Sequence, residues 1–295
     1  MKIILTGASG FLGQHIADYF ANEEVIKLGR QQGDIIVQLD SEVPVLPPAD
    51  LVIHAAGKAH HVPRTAAESE EFYKVNVKGT ENLLRGVENS GTLPKSFIFI
   101  SSIAVYGLDT GTSVNEDSPL MAKEPYGHSK ILAEALIEEW CNKHGIPYTI
   151  LRLPLLAGSN APGNLKAMIK GIKRGYYFNF AKGRARKSML MASSIPSILL
   201  PSLEAPGIYN LTDGYHPSFS ELSTQIAMQL GTRPPGYIPG YLAQPIAMVG
   251  NLLGKRFPLN KKNYKKMIND LTFDDSKARS AFGWNPTKVI DEFKI

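Results

Sequence analysis

The chain has 295 residues, 43% of them apolar, enough to bury a sizeable core in one large or two modest domains. Its 32 basic against 27 acidic residues leave a small, dispersed positive charge with no evident basic, aromatic-rich face, which argues against a nucleic-acid partner. Cys141 is the single cysteine, so no intrachain disulfide forms; with no leader before the run starting at Lys2, a cytoplasmic protein with no membrane partner is expected, and no metal site is read.

In chain order, Lys2-Ile3-Ile4-Leu5 has the pattern of a strand buried in a parallel sheet. The turn TGASGFLG, Thr6 to Gly13, follows at once and opens a helix. Gly7 permits the tight turn, Gly10 lets the backbone approach a pyrophosphate, and Gly13 lets the helix pack on its strand. Phosphates then meet free amides at the helix N-terminus, around Phe11, Leu12 and Gly13, so the segment reads as a dinucleotide cradle. Strand-like runs at 24–28, 35–39, 51–54, 96–100 and 148–152 alternate with helical stretches, the signature of a doubly wound parallel α/β sheet. The run at 24–28, the second strand of the chain, is followed by Gly29-Arg30, where an acid would bond both ribose hydroxyls of the nucleotide. Arg30 either pairs with a 2′-phosphate, which favours NADP over NAD, or is a solvent-facing turn residue.

Further along, Pro125 suits the first turn of a helix, and Tyr126 and Lys130, four apart, project from one face of it. Free tyrosine has a pKa of about 10, and a nearby ammonium and a cofactor's pyridinium are expected to lower it toward a useful acid/base range. From about residue 160 onward the chain carries more Pro and Gly and fewer regular apolar runs. This divides it into a dinucleotide-binding domain at 1–160 and a mainly substrate-binding lobe at 161–295, with some return to the first domain. Residues 241–254 form the longest apolar stretch, but Gln244 and Pro245 interrupt it and it is too short to span a bilayer; a buried helix is expected.

Taken with further motifs, these features resemble the extended short-chain dehydrogenase/reductases, and among them the nucleotide-sugar epimerases, dehydratases and reductases. The further motifs are Asp50 to Gly57, Asn76-Val77-Lys78-Gly79-Thr80, Phe97 to Gly107, Asp275-Ser276-Lys277-Ala278 and Gly283-Trp284-x-Pro286. The resemblance implies a Rossmann-type sheet and an NAD(P) cofactor. It places Ala55, Ala56 and Gly57 beside the nicotinamide, Asn76 among the cofactor contacts, and Asp40 against the adenine, unless Asp40 is only a strand-ending turn residue. It makes Ser102, in preference to Ser101, the active-site hydroxyl, with Tyr126 as proton carrier and Lys130 on the nicotinamide ribose.

Family dehydratases carry an Asp-Glu pair after that hydroxyl, an acid for the leaving group and a base for the adjacent proton; here Ile103 and Ala104 stand there, and neither exchanges a proton. Reduction of a 4-keto sugar or 4-epimerisation remains. By resemblance Asn164, Leu165, Arg186 and Lys187 fall where a nucleotide diphosphate is gripped, although Asn164 reads equally as a loop residue and the Lys182 to Lys187 run as solvated charge. Leu153-Pro154-Leu155 replaces the Tyr-Phe-Asn of many 4-epimerases, and Ser193-Ser194 replaces an aspartate. Together with Gly29-Arg30 and the Gly254-Lys255 pair after the 241–254 stretch, this looks more like enzymes that reduce a UDP-linked 2-acetamido-4-keto-6-deoxy sugar in surface-polysaccharide synthesis, the UDP-sugar 4-epimerases being the alternative. A non-catalytic nucleotide sensor has little reason to keep Ser102, Tyr126 and Lys130 together. The resemblance also implies a homodimer built on the Tyr126 to His144 helix, whose Ile131, Leu132, Ala135, Leu136 and Trp140 could equally face its own sheet.

Overall fold

The computed structural model describes residues 1–59, 61–239 and 261–295, so the 241–254 stretch and Gly254-Lys255 lie outside the described residues. Seven parallel strands form the central sheet: β1 (Lys2–Thr6), β2 (Glu24–Gly29), β3 (Ile35–Ile36), β4 (Leu51–His54), β5 (Ser96–Ser102), β7 (Tyr148–Leu153) and β11 (Gly207–Asn210). Their spatial order is β11-β7-β5-β4-β1-β2-β3, with all pairings parallel. The order reverses beside β1, between β1 and β4, and such a switch point leaves a crevice at the carboxyl ends of the strands.

The central strands are apolar on both faces because helices cover both. On one face α1 (Phe11–Tyr19) and α6 (Pro196–Leu199) bury Leu12, Ile16, Ile198 and Leu199 against Ile3, Leu5, Ile53 and Leu151, with Trp284 closing the layer. On the other, α3 (Gly79–Asn89) and α4 (Pro125–His144) bury Leu83, Val87, Ala133, Ile137 and Trp140 against Ile4, Val52, Phe97 and Ile150. Cys141 lies in this second layer, and burial pushes its thiol up to about 12, far from a reactive thiolate. Of the apolar residues considered for a dimer face, Trp140 packs edge-on against Phe97, and Leu136 and Ile131 pack within their own chain.

Two expectations need correction. β3 ends at Ile36 rather than running to 39, because its partner β2 stops at Gly29, opposite Ile36, and leaves nothing to pair with beyond it. Asp40 therefore lies in the turn after the strand, not at the strand's end.

The later part of the chain returns to the sheet through β11 and builds a second cluster from α5 (Gly163–Lys173), α7 (Phe219–Gln229) and α10 (Val289–Glu292). Short parallel pairs stitch it together: β8 (Leu155–Ala157) with β10 (Met189–Met191), β9 (Asn179–Phe180) with β12 (Tyr237–Ile238), and β6 (Gly111–Val114) with β13 (Leu271–Phe273). Helices α2 (Ala66–Tyr73), α8 (Lys261–Ile268) and α9 (Ser276–Phe282) complete the α-helices among the described residues.

Candidate active site

The glycine turn connects β1 to α1 and lies against the end of β4. Gly7 adopts φ +74°, and a Cβ there would stand 2.7 Å from the Ala56 amide nitrogen. A Cβ on Gly13 would stand 1.9 Å from the Gly7 carbonyl oxygen, so the helix meets the turn at a distance only glycine permits. Gly10 caps α1 and donates to Gly7 at 2.9 Å, which tightens the turn and leaves Phe11, Leu12 and Gly13 as the amides without an intrahelical acceptor. The donor set, left without a side-chain cap at Gly10, fits a pyrophosphate. Gly13→Ala is expected to weaken NADPH binding by at least about tenfold, read by fluorescence titration, because the new methyl must pry the turn open. Unchanged affinity would show that the turn is not the cradle.

Beneath this turn lies a buried polar chain that the sequence did not reveal. His54 is 1% exposed, and its Nδ1 and Nε2 stand 2.7 and 2.9 Å from the hydroxyls of Thr6 and Thr80. Thr80 already donates to the Asn76 carbonyl, so it accepts from His54 Nε2–H; Thr6 then donates to Nδ1 while accepting from the Ala56 amide. Burial holds the ring neutral, with a pKa near about 3. A neutral histidine therefore ties the end of β1 to the end of β4 and fixes Ala55 and Ala56 beside the glycine turn.

Asn76 sits in a π-helical turn, Lys74–Lys78, between α2 and α3. Its amide oxygen accepts from the Lys58 amide at 2.7 Å, and its nitrogen donates to the Lys58 carbonyl at 3.1 Å and to Ser129 at 2.9 Å. The side chain braces the loop after Gly57 against α4. Arg30 is exposed at the end of β2.

Ser102 ends β5 and Tyr126 begins α4. The Ser102 hydroxyl accepts from the Ala104 amide at 3.2 Å and caps the following turn, with Tyr126 close by. Ser101 points the other way and donates to the Glu134 carboxylate. Burial raises the Tyr126 pKa and the neighbouring Ser102 hydroxyl offsets part of that rise. The expected lowering by Lys130 does not operate in this geometry, because the Lys130 ammonium donates to the Ile100 carbonyl at 2.7 Å and lies 3.8 Å over the Phe99 ring.

Lys130 is itself buried, and burial lowers its pKa to about 7 while Glu134 pulls it back up. The unfolded chain holds this proton up to the usual 10.5, whereas the folded protein releases it near 7. Stability through Lys130 is therefore complete above the unfolded value and lost as pH falls through that window. The urea midpoint of the wild type should rise relative to Lys130→Met between pH values of about 7 and 10.5, and a flat difference would contradict a buried ammonium.

The expected substrate contacts are more scattered. Asn164 is exposed in the first turn of α5, whereas Leu165 is 1% exposed and its side chain belongs to the lobe core. Arg186 is exposed; its guanidinium donates to the His216 carbonyl at 3.0 Å and lies 4.0 Å from Glu221. Lys187 donates to the Asn269 carbonyl at 2.9 Å, and burial lowers its pKa to about 8.

The chain is 28% identical over 305 residues to N-acetyl-alpha-D-glucosaminyl-diphospho-ditrans,octacis-undecaprenol 4-epimerase of Escherichia coli O157:H7, covering 95% of this chain and 89% of that protein. It is 26% identical over 316 residues to UDP-glucose 4-epimerase of Vibrio cholerae, covering 99% and 92%. Among solved structures, RMD from Pseudomonas aeruginosa complexed with NADPH superposes with a TM-score of 0.75 at 21% identity, over 99% of this chain and 96% of that one. Residues 3–191 match the NAD dependent epimerase/dehydratase family, and the chain is an enzyme belonging to that family.

Proposed function

We propose that this enzyme transfers hydride at carbon 4 of a sugar carried on a diphosphate, with Tyr126 as the proton carrier, and that its net reaction is reduction of a UDP-linked 4-keto-6-deoxy-N-acetylhexose. The observation that carries the reading is the placement of Ser102, at the carboxyl end of β5, beside the part-buried Tyr126 of α4, with desolvation favouring the neutral phenol. A neutral phenol is a proton donor, which a ketone oxygen needs as it becomes an alcohol. The bound nicotinamide nucleotide would supply the hydride. Ser102, fixed by the Ala104 amide, would orient the carbonyl oxygen. Lys130, whose ammonium turns to the Ile100 carbonyl and not to the phenol, would hold the nicotinamide ribose.

Ile103 and Ala104 follow Ser102 in its short turn and bring no acid or base, so the site has no pair for eliminating water. Gly29-Arg30 in place of an acid after β2 favours NADPH, a cofactor that is consumed, and this supports net reduction. The 4-epimerase reading has its own support in the full-length relatives, both named as 4-epimerases, one of them on a sugar linked through diphosphate to a polyprenol. In that case Tyr126 would first accept and then return the proton while the ketone turned over. We further propose the homodimer and the two-part division of the chain as the assembly in which the site works.

The two directions separate by cofactor. Protein denatured after purification should release little nicotinamide nucleotide, and the emptied site should bind NADPH more tightly than NADH, a preference lost in Arg30→Asp. Near-stoichiometric tightly held NAD would overturn the reductase reading in favour of epimerisation.

A further inference from the structure

Between Glu139 and Glu204 the sequence contains no acidic residue, yet it carries ten lysines and arginines. Arg152 is buried and ion-paired, and Lys187 is half-buried; Lys166, Lys170, Lys173, Arg174, Lys182, Arg184 and Arg186 are exposed. Helix α5 is amphipathic: Leu165, Met168 and Ile172 enter the lobe core, while Lys166, Lys170 and Lys173 occupy its exposed face at helical spacing. The stripe continues through exposed Arg174 into a segment that exposes large aromatic rings, Tyr176 at 56% and Phe178 at 45%. Tyr237, 55% exposed, joins them because β12 pairs with β9, and the Lys182 ammonium lies 6.0 Å over its ring.

Neither the catalytic groups nor the core accounts for three exposed rings edged by cations. Aromatic side chains with an apolar body and a polar tip suit the boundary between lipid headgroups and acyl chains, and a cationic rim adds attraction to anionic lipids. A membrane-spanning role is not involved: no helix among the described residues is long and apolar enough to cross a bilayer. We propose that this face of the lobe, the outer stripe of α5 with Tyr176, Phe178 and Tyr237, docks on an anionic lipid bilayer. The proposal sets aside the expectation of no membrane partner. It stands apart from the reaction assigned above, since docking and turnover are read separately.

The test is flotation of the full chain with phosphatidylglycerol-containing vesicles and with vesicles of phosphatidylcholine alone. The wild type should float with the former and not the latter, and salt should weaken the association. The pair Lys173→Glu and Arg174→Glu should reduce binding about tenfold or more, and Tyr176→Ser with Phe178→Ser by a similar factor. Both double variants should keep the wild-type circular dichroism and turnover on a water-soluble nucleoside-diphosphate sugar. A wild type that does not float, or variants that float as well as it does, would overturn the proposal. So would loss of a solution dimer in the aromatic variant without change in flotation, which would assign the patch to a second copy of the chain.

Discussion

Turnover of Tyr126→Phe should fall by about a hundredfold to ten-thousandfold, while its affinity for the nicotinamide nucleotide stays within about twofold of the wild type. The substitution removes one hydroxyl and leaves a ring that packs near Phe72, at a centroid distance of 6.1 Å, so the fold has little to lose. What disappears is the proton donor beside Ser102. Ser102→Ala should be milder, because it leaves the donor in place and removes only its orienting partner. Steady-state kinetics with a parallel binding titration separates the two effects. Loss confined to KM, or retained turnover in Tyr126→Phe, would move the acid/base role elsewhere.

The second large effect is on stability. Glu134 and Arg152 form an ion pair of 2.7 Å whose side chains are each 3% exposed. Arg152 also donates to the Tyr106 hydroxyl at 3.0 Å; Tyr106 in turn donates to Asn210 at 2.8 Å, and the Asn210 amide donates to Glu116 at 2.8 Å. The chain of bonds thus joins α4, β7 and β11, with Ser101 of β5 entering through its bond to Glu134. Removing one charge strands the other in a dry interior, so Glu134→Ala should destabilise the protein by about 3–5 kcal/mol. Glu134→Gln, which keeps the shape and one acceptor, should lie between that variant and the wild type. Urea denaturation gives both values, and a loss below about 1 kcal/mol for the alanine variant would show the site relaxing or admitting water.

The parallel sheet was legible because its strands are short apolar runs punctuated by turn residues, and Thr6 to Gly13 carries its geometry in its glycines. Tyr126 and Lys130 were legible because helical spacing puts them on one face. What the sequence hid were buried polar partners. Thr6, His54 and Thr80 meet only through the fold, from three separate segments, and nothing local marks His54 within an apolar strand as a neutral brace. The Glu134–Arg152 pair did leave a trace: an acid one helical turn past Lys130 on the buried face of α4, and an arginine inside Thr149-Ile150-Leu151-Arg152-Leu153. Two charges in apolar settings predict each other, since neither is tolerated alone. The direction of the Lys130 ammonium was not legible, because helical spacing gives proximity to Tyr126 but not orientation, and the ammonium turns to the Ile100 carbonyl. The exposed rings of the lobe escaped notice because Tyr237 lies far along the chain from Tyr176 and Phe178, and only the β9–β12 pairing brings them together.

The central claim is best tested by following one hydrogen. The protein is incubated with NADPH deuterated at the transferable position and a UDP-linked 4-keto-6-deoxy-N-acetylhexose, and the product sugar is read by NMR. Deuterium at carbon 4, with turnover abolished in Tyr126→Phe, is the predicted result. Product without deuterium at carbon 4, or no consumption of NADPH with this class of substrate, would contradict it.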